Sequence, residues 1–586
     1  MKKTSFQMLD GKIVLWLRDR VCEDADQLLS SDQFRKFLHR CLSEIQNKNS
    51  KLMGVFGGST ITDKDEEKLI VTLKFLTNLP AEHVAKLVEG SDIFFKDSSL
   101  FNALVEHIYN YWRHFQRLIV CQSDLNNTDL KPNTTFNRTI EHLTTLIRNT
   151  YRDIQVNITG KYPRIYRQVS AGAEIAAITK LKNLHIPEIY KHKLQDIGLI
   201  RQVLLYPPMI FNSKTNKRTG TYEAVNTNPI EMINLDPTKW LCYPAMVGSL
   251  LILVYFSTDE FELNFALCNL FELAVGPELQ RKPDAMIFFG VEKEQLPEEL
   301  RLKSYFYDDQ QNELLIGIVP NDDSFGYFGY VKKLVLTLHN IRMMKTGTLP
   351  FHGACFQLKL ANTPPKTVLV MGDTGAGKSE TLEAFRSIAS NEIEDITIIA
   401  DDMGSLSINQ DGEVIACGTE IGAFVRLDDL QPGYAFGQMD RAVLMNANQV
   451  NARVVIPVTT YETIMLGHKV DYVLYANNYD PIPEGEIAIR RVNDVDKALD
   501  IFRSGRVMSK GTTTTTGIVQ TYFANVFGPH QYQELHEVLA RKHFDKFFAN
   551  QVFVGEMLTQ LGVEGCEHNG PLNAAKDLLM LIKGKA

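Results

Sequence analysis

Eight consecutive residues, Gly372-Asp373-Thr374-Gly375-Ala376-Gly377-Lys378-Ser379, carry the most specific chemistry in the chain. They follow an apolar run, Thr367-Val368-Leu369-Val370-Met371, and precede a helix-forming start, Glu380-Thr381-Leu382-Glu383-Ala384-Phe385. This is GxxxxGKS in the strand, loop and helix order that a triphosphate requires. Glycines let backbone N–H groups converge on phosphate oxygens, and the helix N-terminus adds a favourable dipole. Lys378 is expected to reach the β- and γ-phosphates, and the Ser379 hydroxyl to ligate Mg2+. Further on, the apolar run Ile396-Thr397-Ile398-Ile399-Ala400 ends in Asp401-Asp402. A carboxylate at such a strand end holds the metal of a nucleotide site directly or through water.

Upstream of the loop stands Tyr327-Phe328-Gly329-Tyr330-Val331-Lys332-Lys333, then a helix-like stretch to Met344 and His352 in Leu349-Pro350-Phe351-His352-Gly353. A lysine pair alone is usually a solvated face, and a lone histidine usually a satisfied core residue. In company with a phosphate loop and an acidic pair, they read as a second cation-handling set.

The ordered series resembles the ATP-dependent phosphoenolpyruvate carboxykinases. Tyr327 to Lys333 is similar to that family's Tyr-x-Gly-x-x-Lys-Lys segment, and His352 falls at the distance of its metal-binding histidine. Gly372 to Ser379 is similar to its kinase loop, and Asp401-Asp402 to its acidic pair. Asp411-Gly412 with Glu420-Ile421-Gly422-Ala423-Phe424-Val425-Arg426 resembles the strand that follows, and Asn451-Ala452-Arg453 its Asn-Thr-Arg. Phe502-Arg503-Ser504-Gly505 through Gly517, with Tyr522 to Gly528, resembles its adenine-side segment. The likeness covers about residues 315–562, under half the chain.

What the resemblance implies is a reaction between oxaloacetate and phosphoenolpyruvate plus CO2, driven by ATP with two cations. Lys333, His352 and Asp402 would hold Mn2+, with Lys333 as a neutral amine, and Mg2+ would ride on the nucleotide at Ser379 and the acidic pair. Arg453 would offset charge on the transferring phosphoryl group, and Lys332 would bind substrate or stabilise the enolate oxygen. Tyr327 and Asp401 join this catalytic set. Residues 372–379, Glu380, Glu420 and Arg503 form the nucleotide side.

The chain departs from the family in three places. Met403-Gly404-Ser405-Leu406 replaces a Trp-containing segment after the acidic pair. Gly54-Val55-Phe56-Gly57-Gly58-Ser59-Thr60 has no arginine where the family's Gly-Arg-Ser-Pro-type loop grips the dicarboxylate, so that arginine comes from elsewhere, with Arg218 or Arg164 as candidates, or is absent. The ending Gly-Lys-Ser-Glu-Thr is more similar to the HPr kinase/phosphorylase family, which shares the core. Two alternatives therefore stand: a kinase for a protein serine or another small phosphate acceptor, with Asp401 or Asp402 as base, and a non-catalytic nucleotide-binding assembly protein.

The elements that must position these groups follow from the wider pattern. The 586 residues allow several domains, and 44% hydrophobic with 23% charged residues argues for a globular chain. Residues 1–200 carry helical periodicity at Leu28, Leu29, Phe34, Phe37, Leu38, Leu42 and Ile45, and again from Leu100 to Trp112. They are expected to form a mainly helical domain, suited to homo-oligomer formation. Residues 201–325 read as an α/β substrate-side lobe, with strands at Leu250–Phe256, Ala285–Val291 and Leu314–Val319. Residues 326–586 read as the nucleotide- and metal-binding domain of a two-lobed α/β core.

Composition excludes other classes. Lysines and arginines number 62 against 70 acidic residues, a net charge of −8 with no long basic block, so no nucleic-acid partner is expected. The eight cysteines are scattered with no CxxC pair, against a zinc module or disulfide scaffold. The stretch MKKTSFQMLDGKIVLWLRDR is interrupted by Asp10 and Lys12 and does not read as a signal peptide. The longest apolar run, Ala245 to Phe256, is too short for a bilayer. A soluble cytoplasmic protein without a membrane partner is the expectation.

Overall fold

The computed structural model describes residues 5–17, 21–58, 60–122, 132–217, 222–361, 363–388, 392–430, 436–509 and 517–584. The chain is a mixed α/β protein that divides into two compact units, residues 1–182 with 198–207, and residues 183–197 with 208–586.

In the first unit the apolar spacing delivers helices α1 (Ala25–Ser30), α2 (Asp32–Asn47) and α3 (Ser98–His114). Asp24 and Ser31 cap the first two by accepting from Gln27 N and Phe34 N. A long helix, α4 (Pro132–Thr159), follows. Helices take the larger share, but beside them runs a sheet that the periodicity did not announce. Its strands are β1 (Ser5–Met8), β2 (Lys12–Leu17), β3 (Gln116–Gln122), β4 (Ile175–Lys180) and β5 (Gly198–Leu205). The pairs β1–β2 and β4–β5 are antiparallel, whereas β2–β3 and β3–β4 are parallel. The mainly helical reading of 1–200 did not include this sheet, because strand-length apolar runs embedded among helices carry no helical signature of their own.

The second unit takes in residues 208–325 and 326–586; each stretch has its own large sheet, and Met209–Phe211 of the first pairs with Val443–Met445 of the second. In the first stretch the strands are β6 (Glu223–Val225), β7 (Trp240–Val247), β8 (Leu250–Ser257), β9 (Ala285–Val291), β10 (Tyr305–Asp309) and β11 (Leu314–Pro320), in the order β7-β8-β9-β11-β10-β6. The three central strands are parallel to one another and buried along their whole length, which explains their unbroken apolar sequences.

Helix α5 (Phe328–Lys345) packs against β9 and β11 and against the long strand β12 (Leu349–Leu360). Nearly all of α5 is buried, so it has no polar face, and its lysines at 332 and 333 must find partners inside the protein. The second sheet is built around β12. The phosphate-loop strand β13 (Lys366–Met371) pairs antiparallel with it, and helix α6 (Lys378–Ile388) follows the loop. Strands β14 (Ile393–Ala400) and β15 (Met403–Ile408) pair with successive halves of β12, and β16 (Val414–Gly418) extends the sheet beyond β15. A separate small sheet holds β17 (Gly422–Arg426), β18 (Val443–Met445) and β19 (Arg453–Pro457). On the other side of β13 lie two parallel strands, β20 (Tyr472–Asn477) and β21 (Phe553–Leu558). No helix among the described residues is long and apolar enough to cross a membrane.

Candidate active site

The phosphate loop leaves the C-terminal end of β13, where the neighbouring parallel strands β20 and β21 also end. Ligands of open α/β sheets bind at such carboxyl ends. Three side chains from these elements and the 521 turn brace the loop. Asn478 Nδ2 donates to Gly375 O at 2.9 Å, Thr559 Oγ1 to Ala376 O at 2.7 Å, and Thr521 Oγ1 to Asp373 Oδ2 at 3.0 Å. Within the loop, Thr374 N donates to Asp373 Oδ1 at 2.7 Å. Gly377 has φ +94° and packs so closely on Thr559 that a Cβ would meet its Cβ at 2.6 Å. Lys378 is buried and donates to the carbonyls of Gly372 and Asp373 at 2.5 and 3.0 Å, holding its charge at the loop's centre. Ser379 is exposed on the first turn of α6, beside Glu380.

A second cluster adjoins the loop. The Asp401-Asp402 step between β14 and β15 falls beside His352 on β12. Gly353 N donates to Asp402 O at 2.9 Å, and Gly372 N donates to His352 O at 3.2 Å, so one strand ties the acidic pair to the loop's first residue. Asp402 Oδ1 lies 2.9 Å from His352 Nε2, and Lys332 Nζ donates to Asp402 Oδ2 at 2.9 Å. The same ammonium lies 3.0 Å from Glu420 Oε1, and Glu420 Oε2 is buried without a hydrogen bond.

The electrostatics of this cluster are unequal. Burial would lower the Lys332 ammonium, but Asp402 and Glu420 override it and hold it above the usual lysine range. Burial would likewise raise Asp402, but Lys332 and His352 hold it well below the usual carboxylate range, and Lys378 adds to the effect. Glu420 is pushed up to about 8, by burial first, against the pull of Lys332 and with the repulsion of Asp402. The group is therefore a Lys332–Asp402 ion pair beside Glu420, the carboxyl that burial makes the readier of the two to hold a proton.

His352 Nδ1 faces Ala524 O at 2.5 Å. That carbonyl can only accept, so Nδ1 carries the proton and donates. Ala524 sits in a run of three left-handed residues, Phe523, Ala524 and Asn525, with φ of 43°, 56° and 61°. Such strain persists only where surrounding structure imposes it, and it gathers at functional sites. Lys333 Nζ lies 4.8 Å from the centre of the Phe527 ring, and the His352 ring, tilted by 36°, lies 5.9 Å from it between centres. Lys332, one residue earlier on α5, is the lysine that meets Asp402.

Phe424 gathers cationic and aromatic side chains around its ring. Its ring has Arg453 Cζ 5.0 Å and Lys332 Nζ 5.9 Å from its centre, and it packs against Tyr327 and Phe328. Arg426 stands directly opposite Arg453 in the β17–β19 register, so both arginines share the Phe424 face. Sequence reasoning quoted Arg426 within a segment but gave it no role; only the register reveals it. Arg503 pairs with Glu537 at 3.0 Å and Asp500 at 2.7 Å, and residues 510–516 of its segment lie outside the described ones. Arg218 also lies outside the described residues, and Arg164 is an exposed residue of the first unit.

A metal fits part of this arrangement. With Nδ1 donating to Ala524, a metal on His352 would bind Nε2, in place of the hydrogen bond that Nε2 now shares with Asp402 Oδ1. Among the described residues no three His, Cys, Asp or Glu side chains form a metal-holding group, so a lysine amine would have to complete the set. Lys332, held charged by two carboxyl groups, is unsuited to that task, which leaves Lys333. Compared with protein-family models and with curated proteins, the sequence matches none of them.

Proposed function

We propose that the chain is a nucleotide-dependent phosphotransferase of the phosphoenolpyruvate carboxykinase kind, interconverting oxaloacetate and phosphoenolpyruvate plus CO2. The observation that carries this reading is the double attachment of His352. Its backbone accepts from the first glycine of the phosphate loop, and its ring meets Asp402 of the Lys332 cluster. Nucleotide and acceptor groups are thereby held in one frame, which phosphoryl transfer needs more than any covalent help.

In this reading residues 372–379 cradle ATP. Ser379 and the acidic pair hold Mg2+, and His352, Asp402 and Lys333 hold Mn2+, which when bound supplies the positive charge that favours an enolate. Lys332 presents a fixed cation to the acceptor oxygen. Arg453 and Arg426 take the carboxylate and the transferring phosphoryl group, since bidentate guanidinium groups suit both. The buried Tyr327 and half-buried Phe424 rings keep water from a readily protonated enolate. The first sheet of the second unit would be the substrate-side lobe, and the second sheet the nucleotide domain of the same core.

A kinase for a hydroxyl acceptor is the second reading. One observation favours it: the Asp402 carboxylate is partly exposed and lies within reach of the Lys378 charge, where a hydroxyl's proton could be drawn. The arginine pair favours the carboxykinase, because a simple hydroxyl has no carboxylate to grip. The test is phosphoenolpyruvate formation from oxaloacetate with ATP, GTP and pyrophosphate in parallel, with and without Mn2+. Turnover stimulated by Mn2+ supports the proposal. ATP binding without turnover of either compound overturns it and leaves the kinase or a non-catalytic nucleotide binder.

A further inference from the structure

The first unit contains an apolar cavity of about 220 Å³ between the β2–β3 face and helices α1 to α4. The parallel register sets Ile13 beside Arg117 and Leu15 beside Ile119, so Ile13, Leu15, Leu17 and Ile119 share the face that forms its floor. Its roof is a set of helical stripes, Val105, Ile108 and Trp112 on α3, and Leu143, Ile147 and Thr150 on α4. The cavity lies where two apolar clusters would otherwise fuse, and residues from both line it. Protein interiors are close-packed, with few voids larger than a water molecule. An engineered apolar cavity of about 150 Å³ already admits benzene and stays dry otherwise.

The polar atoms on the lining are nearly all spoken for. Trp112 Nε1 donates to Ala171 O at 2.6 Å, and Tyr151 Oη to Glu106 Oε1 at 2.5 Å. The Arg117 guanidinium donates to the carbonyls of Trp112, Arg113, Phe115 and Gly172 and to Glu174. Thr150 differs: it is 5% exposed and its Oγ1 makes no hydrogen bond. A buried hydroxyl without a partner is costly, and a ligand oxygen would satisfy it.

We propose that this cavity is a binding site for a neutral apolar molecule of about the bulk of two fused aromatic rings, carrying one hydroxyl or carbonyl oxygen for Thr150. Among the described lining residues the one cation, Arg117, is engaged by carbonyls and Glu174, and none is a carboxylate, so neither an anion nor a cation finds a partner. The site belongs to the first unit alone and does not depend on the reading of the second.

The experiment uses the full chain with 2-naphthol as a fluorescent probe and naphthalene and 2-naphthoate as companions. Saturable binding of one 2-naphthol per chain is expected, with the charged naphthoate weaker by about tenfold or more. Ile147→Trp fills the cavity and should abolish binding of both neutral probes. The near-isosteric Thr150→Val should weaken 2-naphthol about fivefold while leaving naphthalene unchanged, an arm that stands even if the tryptophan variant misfolds. Lys378→Ala, which disables the phosphate loop, should leave 2-naphthol binding intact. No saturable binding by the wild type, or binding unchanged in a folded Ile147→Trp, overturns the site. An unchanged 2-naphthol affinity in Thr150→Val overturns the hydroxyl contact, and loss of binding in Lys378→Ala relocates the probe to the nucleotide loop and overturns the site too.

Discussion

Arg426 and Arg453 stand directly opposite each other across antiparallel strands, two like charges in one register position. Like charges so placed destabilise a sheet by about 0.2–1 kcal/mol. Arg426 finds Asp428 at 2.9 Å, but the Nε of each arginine is buried without a hydrogen bond. An arrangement that costs stability and leaves two donors unspent suits the anion-binding role proposed for it. Arg426→Met should therefore raise the unfolding free energy by about 0.5 kcal/mol while raising KM for the carboxylate substrate about tenfold or more. ATP affinity should not change. Denaturant unfolding and steady-state kinetics check both halves, and a less stable variant with unchanged KM contradicts the assignment.

Lys332 serves two carboxyl groups at once, Asp402 at 2.9 Å and Glu420 at 3.0 Å. Removing it strands an anion in the interior. Lys332→Met is expected to cost about 3–5 kcal/mol of stability, the range for breaking one side of a buried ion pair. Adding Glu420→Gln to that variant should recover only a small part, because Glu420 already keeps its proton and the stranded charge is Asp402. Urea midpoints of the two variants measure this, and full recovery in the double variant would show that Glu420 carries the charge instead.

What the sequence disclosed and what it withheld divide along a physical line. The phosphate loop was legible because its chemistry is local: β13, residues 372–379 and α6 are contiguous. His352 and Asp402 were legible as types at a spacing. Which of two adjacent lysines meets Asp402 was not, because neighbours on a helix point about 100° apart and only the packing of α5 decides. Asn478 and Thr559 escaped notice because each is one polar residue at a strand's end, brought to the loop by parallel pairing across long stretches of chain, and Thr521 because it comes from a distant turn. The first unit's sheet escaped for a similar reason, since β2 and β3 pair although a helical array separates them in sequence. Arg503, assigned to the nucleotide side by resemblance, spends its guanidinium on Glu537 and Asp500.

Glu420 links the cluster to pH. Its carboxyl is raised from 4.5 to about 8 in the folded chain. The folded state thus holds a proton that the unfolded state has released across that window. The stability it contributes is complete below about pH 4.5 and is lost as pH rises toward 8. Glu420→Gln, uncharged at every pH, should flatten the fall in stability between about pH 6 and 8. Thermal or urea unfolding at several pH values reads the slope, and an identical slope in wild type and variant would remove Glu420 as its source.

Two loop glycines allow a sharper test of the phosphate cradle. Gly375 and Gly377 have φ of +77° and +94°, so an alanine at either pays about 1–2 kcal/mol for the left-handed backbone. Around a Cβ at 375 nothing lies within 4 Å, whereas at 377 it would meet Thr559 Cβ and Oγ1 at 2.6 Å. Thr559 cannot easily retreat, because its hydroxyl donates to Ala376 O at 2.7 Å. Gly377→Ala should accordingly destabilise the protein more than Gly375→Ala, by about 1–3 kcal/mol, and should lose ATP binding as the loop is pushed off its strand end. Trimming the neighbour, in Gly377→Ala with Thr559→Gly, should return part of the stability but not the affinity, since the brace on Ala376 is gone. Calorimetric ATP titration beside denaturant unfolding separates the two effects, and equal losses in the two single variants would mean that the Thr559 contact does not shape the loop.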